Sequence, residues 1–308
     1  MILSAGLSPA WQQILVFDNY RHGEVNRAKQ AHWVASGKVF NAGLAAHHLG
    51  GPSLTLATVG GPPLEQISKE FDSLGLKYRW VETQAATRVC TTVIERDSGI
   101  ITELVEEGRP VTGEELDRFV EAYTEEAARA KVAVLIGSFP AGTPDDFYSR
   151  LIERTSCPTI IDARCEPLLL ALRHKPLLVK PNREELGHTV GRVLDDDDDL
   201  VAAMKEINSR GAQWVLISDG PRPAWLTSGA ETFRLHPPEI DNIVNAIACG
   251  DAMAGGIAWA VRDGRDMLEA VKFGIAAACD NLTQLLPCRL DFGRVEETAH
   301  RVLFEKVS

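Results

Sequence analysis

The chain has 308 residues, of which 45% are hydrophobic and 24% are charged, the composition of an ordinary globular protein. Its formal net charge of −11 argues against general binding to nucleic acid or to a membrane surface, so we expect neither as a partner. There is no basic leader, no apolar run long enough to span a bilayer, and no Cys-x-x-Cys pair among the six cysteines. These features predict a cytoplasmic protein with reduced thiols.

Short apolar runs alternate with amphipathic segments along the chain, and the runs read as strands covered on both faces. The predicted strands are 2–7, 54–60, 132–138, 159–163, 177–180, 214–218 and 224–227. The predicted helices are 41–49, 64–74, 113–130, 145–154, 184–190, 200–210 and 250–261, with more helix towards the C-terminus. This alternation predicts one α/β domain over residues 1–308, a three-layer αβα sandwich with a mainly parallel central sheet.

Two stretches interrupt the alternation. Residues 88–105 alternate apolar and polar side chains about the turn Arg96-Asp97-Ser98-Gly99, which predicts a hairpin. Residues 10–34 are also extended and lack helical periodicity. Together these stretches predict a small β-sheet that projects from the main domain, either as a lid or as a contact between subunits.

Two common nucleotide-binding motifs are absent from the sequence. A Walker loop through SGKV would need glycine at position 32 and serine or threonine at position 39, where the chain has His32 and Val39. No Gly-x-Gly-x-x-Gly follows the first predicted strand, so a dinucleotide-binding fold has no support.

The stretch NAIACGDAMAGG (245–256) places Asp251 where a loop becomes a helix. Backbone amides at the positive end of a helix bind anions, and a carboxylate beside a bound phosphoryl group can take a proton from an attacking hydroxyl. The alternative is that Asp251 only caps the helix and that the glycines allow close packing. The motif by itself does not decide between the two.

Further segments resemble those of the ribokinase-like, or PfkB, sugar kinase family. GSFPAG (137–142), KPNREEL (180–186), SDG (218–220) and the 245–256 stretch occur in the order of that family's GSxPxG, KPNxxEL, SxGxxG and NxxGAGD. EVNRAKQAHWVASGKVFNAG (24–43) is similar to its VNR and GGKGxN, and ATRVC (86–90) to its ETR segment. The resemblance covers about residues 6–257 and is strongest to the tagatose-6-phosphate kinases and 1-phosphofructokinases.

The resemblance implies an ATP- and Mg²⁺-dependent kinase in which Asp251 is the general base. The backbone amides of Ala248, Cys249 and Gly250 would form an anion hole. The residues that would bind the nucleotide are Lys180, Ser218, Gly220 and Gly250. Asn182 and Glu185 would arrange Mg²⁺ and its waters. These assignments come from the family and from the positions that match its motifs.

The resemblance also implies a set of substrate-binding residues. Arg27, Lys38 and Arg88 match positions that hold a phosphate already present on the sugar. Asn41 and Ser138 would hydrogen-bond the sugar or its phosphate, and Gly37 and Gln12 lie in the matching N-terminal segments. The hairpin at 88–105 becomes a lid that excludes water, and its apolar face suggests a homodimer through the lid.

Several positions depart from the family pattern. The first glycine of its GAGD is Ala248 here, which costs free energy if the position requires a positive φ. The family's MNPxxD, whose aspartate grips a sugar hydroxyl, reads LSPAWQ, with Ser8 and Gln12. Pro223 stands where a nucleotide-loop glycine is usual.

Three functions therefore follow from the sequence. The first is a kinase that converts a ketohexose phosphate, such as tagatose 6-phosphate or fructose 1- or 6-phosphate, to a bisphosphate. The second is a kinase of an unphosphorylated sugar or nucleoside. The third is a catalytically impaired protein that binds sugar phosphates on the same scaffold.

Overall fold

The computed structural model describes residues 1–307 and contains two β-sheets and ten α-helices. The main sheet contains β1 (Ile2–Gly6), β4 (Ser53–Gly60), β5 (Lys77–Thr83), β8 (Val132–Ile136), β9 (Thr159–Asp162), β10 (Leu178–Val179), β11 (Trp214–Asp219), β12 (Arg222–Ser228), β13 (Thr232–His236) and β14 (Leu303–Lys306). The small sheet contains β2 (Ala10–Phe17), β3 (Gln30–Ser36), β6 (Arg88–Glu95) and β7 (Ile101–Val105). The helices are α1 (Lys38–His48), α2 (Pro63–Ser73), α3 (Gly113–Ala127), α4 (Phe147–Ile152), α5 (Cys165–Ala171), α6 (Arg183–Val190), α7 (Asp197–Ser209), α8 (Cys249–Arg262), α9 (Met267–Leu282) and α10 (Phe292–Ala299).

The main sheet has the strand order β14-β13-β12-β11-β10-β9-β8-β1-β4-β5. Every neighbouring pair from β11 to β5 is parallel, and β12, β13 and β14 add antiparallel pairs at one edge. Because the carboxyl ends of parallel strands meet at one edge, the loops after β1, β8, β9, β10 and β11 converge there. Ligands of open α/β sheets bind at that edge.

Two buried cores flank the sheet and make the fold a three-layer αβα sandwich. One core joins the sheet to α1, α2, α8, α9 and α10, and the other joins it to α3 through α7. Strand side chains alternate between the two cores, as Ile160 and Ile161 do in β9. The predicted α/β fold is confirmed. No helix within residues 1–307 is both long and apolar enough to cross a membrane.

The small sheet has the strand order β3-β2-β6-β7, with β2 and β6 parallel and the outer pairs antiparallel. Its strands come from the two stretches that interrupt the predicted alternation. On one face Ile14, Val16, Val34 and Ile94 are buried together against Leu285 and Leu286. β3 leads into α1 through Gly37, so the base of the small sheet adjoins the edge where the main strands end.

Helix α1 packs directly against α8 because both helices carry small residues at their contact. A Cβ atom on Gly255 would lie 2.6 Å from the Ala42 carbonyl oxygen and 2.6 Å from the Ala45 Cβ, which is closer than packed atoms can approach. Lys38 and Asn41 belong to α1, and Asp251 belongs to α8. The close approach of the two helices therefore fixes these side chains relative to one another.

Several boundaries differ from the prediction. Helix α1 begins at Lys38, three residues before the predicted start, because Gly37 takes a φ of 87° at its N-cap. Helix α7 begins at Asp197, and Asp196 caps it by accepting a hydrogen bond from the Asp199 amide at 2.8 Å. Strands β5, β13 and β14 and helix α5 were not predicted; β14 is exposed along its whole length and has no buried apolar run to mark it.

Candidate active site

A buried group of charged side chains lies where β9 and β10 end. The carboxylate of Asp162 accepts hydrogen bonds from the ammonium groups of Lys38 at 2.9 Å and Lys180 at 2.8 Å, one on each oxygen. Lys180 and Asp162 are 4% and 3% exposed, so this ion pair is almost fully removed from water. Burial alone raises the pKa of Asp162, but the two ammonium groups outweigh it and lower that pKa to about 2.

Lys38 joins this pair to a second carboxylate. Its ammonium group lies 3.5 Å from Glu185 Oε1 as well as 2.9 Å from Asp162 Oδ1. Burial alone lowers the pKa of Lys38, but the negative charges of Asp162, Glu185 and Asp251 outweigh burial and raise it. Lys38 therefore stays charged and ties α1 to β9 and α6.

Asp251 lies in the first turn of α8 and is 7% exposed. The Asn41 Nδ2 atom donates a hydrogen bond to Asp251 Oδ2 at 2.8 Å, and Asn41 Oδ1 accepts one from the Ser36 hydroxyl at 3.2 Å. Burial raises the pKa of Asp251 to about 6; the charge of Lys38 opposes this shift and the charge of Asp162 adds to it. The Asp251 carboxyl group is therefore oriented by one donor and poised to exchange a proton near neutral pH.

The turn before α8 resolves what the sequence left open about Ala248. Ala248 adopts the left-handed conformation, with φ 67° and ψ 12°, where a side chain costs about 1–2 kcal/mol. Asn281 holds the turn on both sides: its Nδ2 atom donates to the Ile247 carbonyl at 2.8 Å and to the Cys249 sulfur at 3.3 Å. The backbone thus keeps the shape that glycine would adopt freely.

The ammonium group of Lys180 lies at the start of α8. A Cβ atom on Gly250 would be 3.4 Å from Lys180 Nζ, so the ammonium group is adjacent to the first turn of α8. The first amides of an α-helix have no partner within the helix. The predicted anion hole of Ala248, Cys249 and Gly250 therefore combines free amides with a buried ammonium group.

Asn182 and Glu185 cap α6 by bonding to each other. The Asn182 side chain accepts from the Glu185 amide at 2.8 Å, and Glu185 Oε2 accepts from the Asn182 amide at 3.0 Å. This reciprocal bond leaves Glu185 Oε1 facing Lys38. Beside them, Asn182 pairs with Ser218 in an isolated parallel bridge, and Gly220 is exposed in the next turn.

A cavity of about 420 Å³ opens beside this charged group. Lys38 and Asp162 line it, together with Ser8, Arg88, Gly137, Ser138, Phe139, Tyr148, Ala163, Arg164, Cys165, Pro167 and Glu185. The Arg88 guanidinium donates to the carbonyl oxygens of Pro9 at 3.3 Å, Ser8 at 3.3 Å and Glu106 at 3.1 Å. Those three bonds fix its orientation and leave two of its five N–H groups for a ligand.

Four predicted substrate-binding residues do not line the cavity: Gly37, Asn41, Gln12 and Arg27. Gln12 is 2% exposed, and its Nε2 atom donates to Thr92 Oγ1 at 2.5 Å and Glu103 Oε1 at 3.2 Å, within the small sheet. Arg27 is exposed in the loop that joins β2 to β3, at the end of the small sheet opposite Ala10. Eight residues of β2 separate the two ends, a distance of about 23 Å.

Gly37 has a structural reason for lacking a side chain. Its φ is 87°, a conformation that favours glycine. A Cβ atom on Gly37 would also lie 2.9 Å from the Ala10 nitrogen and 3.0 Å from the Ser8 carbonyl oxygen. Gly37 thus lets the start of α1 approach the chain that leads into β2.

Sequence reasoning missed Asp162, the residue on which the charged group depends. The signal was present: an acid ends the four-residue run TIID, at the edge where ligands of such sheets bind. Asn281 was also missed, and here no sequence signal existed, because it lies in α9, more than thirty positions after the turn that it holds.

We predict that Ala248→Gly stabilises the protein. Glycine adopts the left-handed conformation without steric cost, so the free energy of unfolding should rise by about 1 kcal/mol. Urea denaturation of the variant and the wild type measures the change. The control is Ala202→Gly, at an exposed position inside α7, which should lose about 1 kcal/mol. A loss of stability in both variants would contradict the strain at Ala248.

Comparison with known proteins places this geometry in a family. A solved structure from Thermotoga maritima, described as a possible 1-phosphofructokinase, is 20% identical with a TM-score of 0.90 and covers 100% of this chain and 99% of that chain. Phosphofructokinase-2 from Escherichia coli, in its tetrameric inhibited form, is 24% identical with a TM-score of 0.88; the match covers 97% of this chain and 98% of that chain. Arabidopsis thaliana ribokinase, complexed with ribose and ATP, is 18% identical with a TM-score of 0.75; the match covers 97% of this chain and 98% of that chain. The pfkB family carbohydrate kinase profile matches residues 12–287, and the chain therefore belongs to the pfkB family of carbohydrate kinases.

Proposed function

We propose that this carbohydrate kinase uses ATP to add a second phosphate to a ketohexose phosphate, such as tagatose 6-phosphate or fructose 1- or 6-phosphate. The observation that carries the proposal is the position of Asp251. This carboxylate is buried at the start of a helix, oriented by Asn41, and surrounded by the charges of Lys38, Lys180 and Asp162. A residue that only capped the helix would not need this charged environment.

In the proposed reaction Asp251 is the general base. Its Oδ2 atom accepts from Asn41, and no donor among residues 1–307 occupies Oδ1, which is left to accept the proton of the sugar hydroxyl. The hydroxyl oxygen bonds to the terminal phosphorus of ATP as the bond from that phosphorus to the bridging oxygen breaks, and ADP leaves. A pKa of about 6 suits the base, because the carboxylate is ionised at neutral pH yet basic enough to take a proton.

The start of α8 would stabilise the phosphoryl group during transfer. Negative charge on its oxygens is favoured by the free amides of Cys249 and Gly250 and by the adjacent Lys180 ammonium group. The left-handed Ala248 keeps these amides in place despite the departure from glycine. This conformation supports a working anion hole over an impaired one.

Arg88 supports an acceptor that already carries a phosphate. Its guanidinium is held by three carbonyl oxygens and lines the cavity, so it is oriented before a ligand arrives. Ser138 is exposed on the same cavity wall and can donate a hydroxyl hydrogen bond. Lys38 also lines the cavity, but its ammonium group is paired with Asp162 and Glu185.

Mg²⁺ is the metal that such a kinase implies, and the residues present fit it through water. Among residues 1–307 no three His, Cys, Asp or Glu side chains gather into a direct metal cage. Glu185 instead presents one oxygen towards the cavity while Asn182 fixes the other through the helix cap. Mg²⁺ usually keeps several waters and neutralises charge on nucleotide phosphates, and Glu185 would hold those waters.

We predict that Asp251→Asn lowers turnover by roughly 100- to 10,000-fold, because it removes the general base and keeps the side-chain shape. The measurement is ADP release with Mg·ATP across a panel of free and phosphorylated hexoses. The control is Asp263→Asn, at the exposed C-terminal end of the same helix, which should retain wild-type turnover.

The same panel separates the alternatives. Near-normal turnover by the Asn variant would refute the assignment of the base. Equal turnover of free and phosphorylated hexoses would favour a kinase of unphosphorylated sugars. No turnover by the wild type, with phosphosugars still raising its melting temperature, would identify a binding protein.

We also propose that the small sheet forms a lid over the site and joins two copies of the chain. Its Trp33 and Leu104 side chains lie on the same face of the sheet and are 46% and 58% exposed, which gives that face an apolar surface. Leu104→Glu should convert a dimer to a monomer in sedimentation velocity. Val193→Glu, at an exposed apolar residue outside the small sheet, should not change association. A monomeric wild type at micromolar concentration would contradict the proposal.

A further inference from the structure

Arg164, a cation that lines the cavity, has no hydrogen-bond or ion-pair partner among residues 1–307. Arg164 follows β9 by two residues and is exposed at the cavity wall. Within residues 1–307 the hydrogen bonds and ion pairs of the cavity engage the other two lining cations, Lys38 and Arg88, and leave Arg164 free. The free guanidinium can therefore offer all its N–H groups to a ligand.

The charge balance of the cavity leaves room for a dianion. Lys38 is neutralised by Asp162, which it shares with Lys180, and it also faces Glu185. Among the described residues, Arg88 bonds only to neutral carbonyl oxygens, and Arg164 makes no hydrogen bond or ion pair. Neither guanidinium group forms an ion pair with a carboxylate among residues 1–307, so both are available to a phosphate monoester.

The backbone next to Arg164 is held in a strained conformation. Cys165, the following residue, has a φ of 56°, where a non-glycine side chain is unfavourable. The Cys165 amide donates to Thr189 Oγ1 at 2.9 Å, and the Thr189 hydroxyl donates to the Glu185 carbonyl at 2.6 Å. These bonds tie the Arg164 segment to α6, so the base of its side chain is fixed relative to the charged group.

A buried hydroxyl on the same cavity is also without a partner. Ser8 is 5% exposed and lines the cavity beside Arg88, and its Oγ atom makes no hydrogen bond among the described residues. An unpaired buried hydroxyl is costly unless a ligand or water completes it. It adds a third donor for a polar ligand.

We propose that Arg164, which lines the same cavity as Arg88, binds the phosphate already carried by the acceptor sugar and so determines the preference for phosphorylated sugars. This inference rests on the proposed function. The acceptor phosphate is favoured over the nucleotide because Arg164 shares its cavity with Arg88, Ser8 and Ser138. The predicted nucleotide residues Ser218 and Gly220 do not line that cavity. Arg164 also supplies a cation that Arg27, on its distant loop, does not.

The test is Arg164→Gln, which removes the charge at an exposed position and leaves the fold intact. Fructose 6-phosphate, fructose 1-phosphate, tagatose 6-phosphate and free fructose are titrated by calorimetry, and KM is measured for any of them that turns over and for ATP. The variant loses a charge-assisted hydrogen bond to the phosphate. We therefore expect the Kd and KM of the phosphorylated sugars to rise by roughly 10- to 100-fold and those of free fructose to stay unchanged. Arg173→Gln, an exposed arginine just after α5 that lies outside the cavity lining, is the matched control and should change neither constant.

The outcomes separate this inference from the proposed function. If the loss falls on the KM for ATP, or if neither constant changes, Arg164 does not bind the acceptor phosphate. If phosphorylated sugars bind in an Arg164-dependent manner and are never phosphorylated, the kinase proposal fails and the role of Arg164 stands.

Discussion

The Asp162 carboxylate, shared between the ammonium groups of Lys38 and Lys180, is the interaction on which the site depends. A buried charge without a partner costs several kcal/mol, so removing Asp162 leaves the buried Lys180 ammonium group uncompensated. Each partner comes from a different part of the fold: α1, the end of β9 and the residue after β10. The ion pair therefore joins the sheet edge to the start of α1, and Asn41 of α1 holds Asp251, whose pKa is raised chiefly by burial.

The surrounding fold keeps these charged side chains buried and fixed relative to Asp251. The parallel strands bring their carboxyl ends to one edge, and the glycine contact between α1 and α8 lets Asn41 reach Asp251. Ala248 and Cys165, two of the four non-glycine residues with positive φ among residues 1–307, lie beside this group, and their backbone takes conformations that these residues disfavour. In each case a hydrogen bond from a neighbouring element, through Asn281 or Thr189, holds the strained turn.

The fold could be predicted from the sequence because its signals are local. Continuous apolar runs mark strands buried on both faces, whereas the exposed β14 leaves no such mark. The site could be predicted only in part. The loop–helix junction at Asp251 is a local motif, but the pairing of Lys38 with Asp162 spans 124 positions, and no periodicity reveals it. The sequence therefore predicts only a role for Lys38 in binding the substrate phosphate, and it does not predict that Arg164 lies in the cavity.

The most direct test of this account is the pH dependence of kcat in the wild type and in Asp162→Asn. Asp251 must be deprotonated to act as base, so wild-type kcat should fall as the pH drops below about 6. The Asp162 charge raises the pKa of Asp251 and the Lys38 and Lys180 charges lower it. Asparagine at 162 should therefore move the acid limb to lower pH, even if kcat itself is reduced. An acid limb that stays in place, or moves to higher pH, would show that Asp251 does not titrate within this network and would contradict the account.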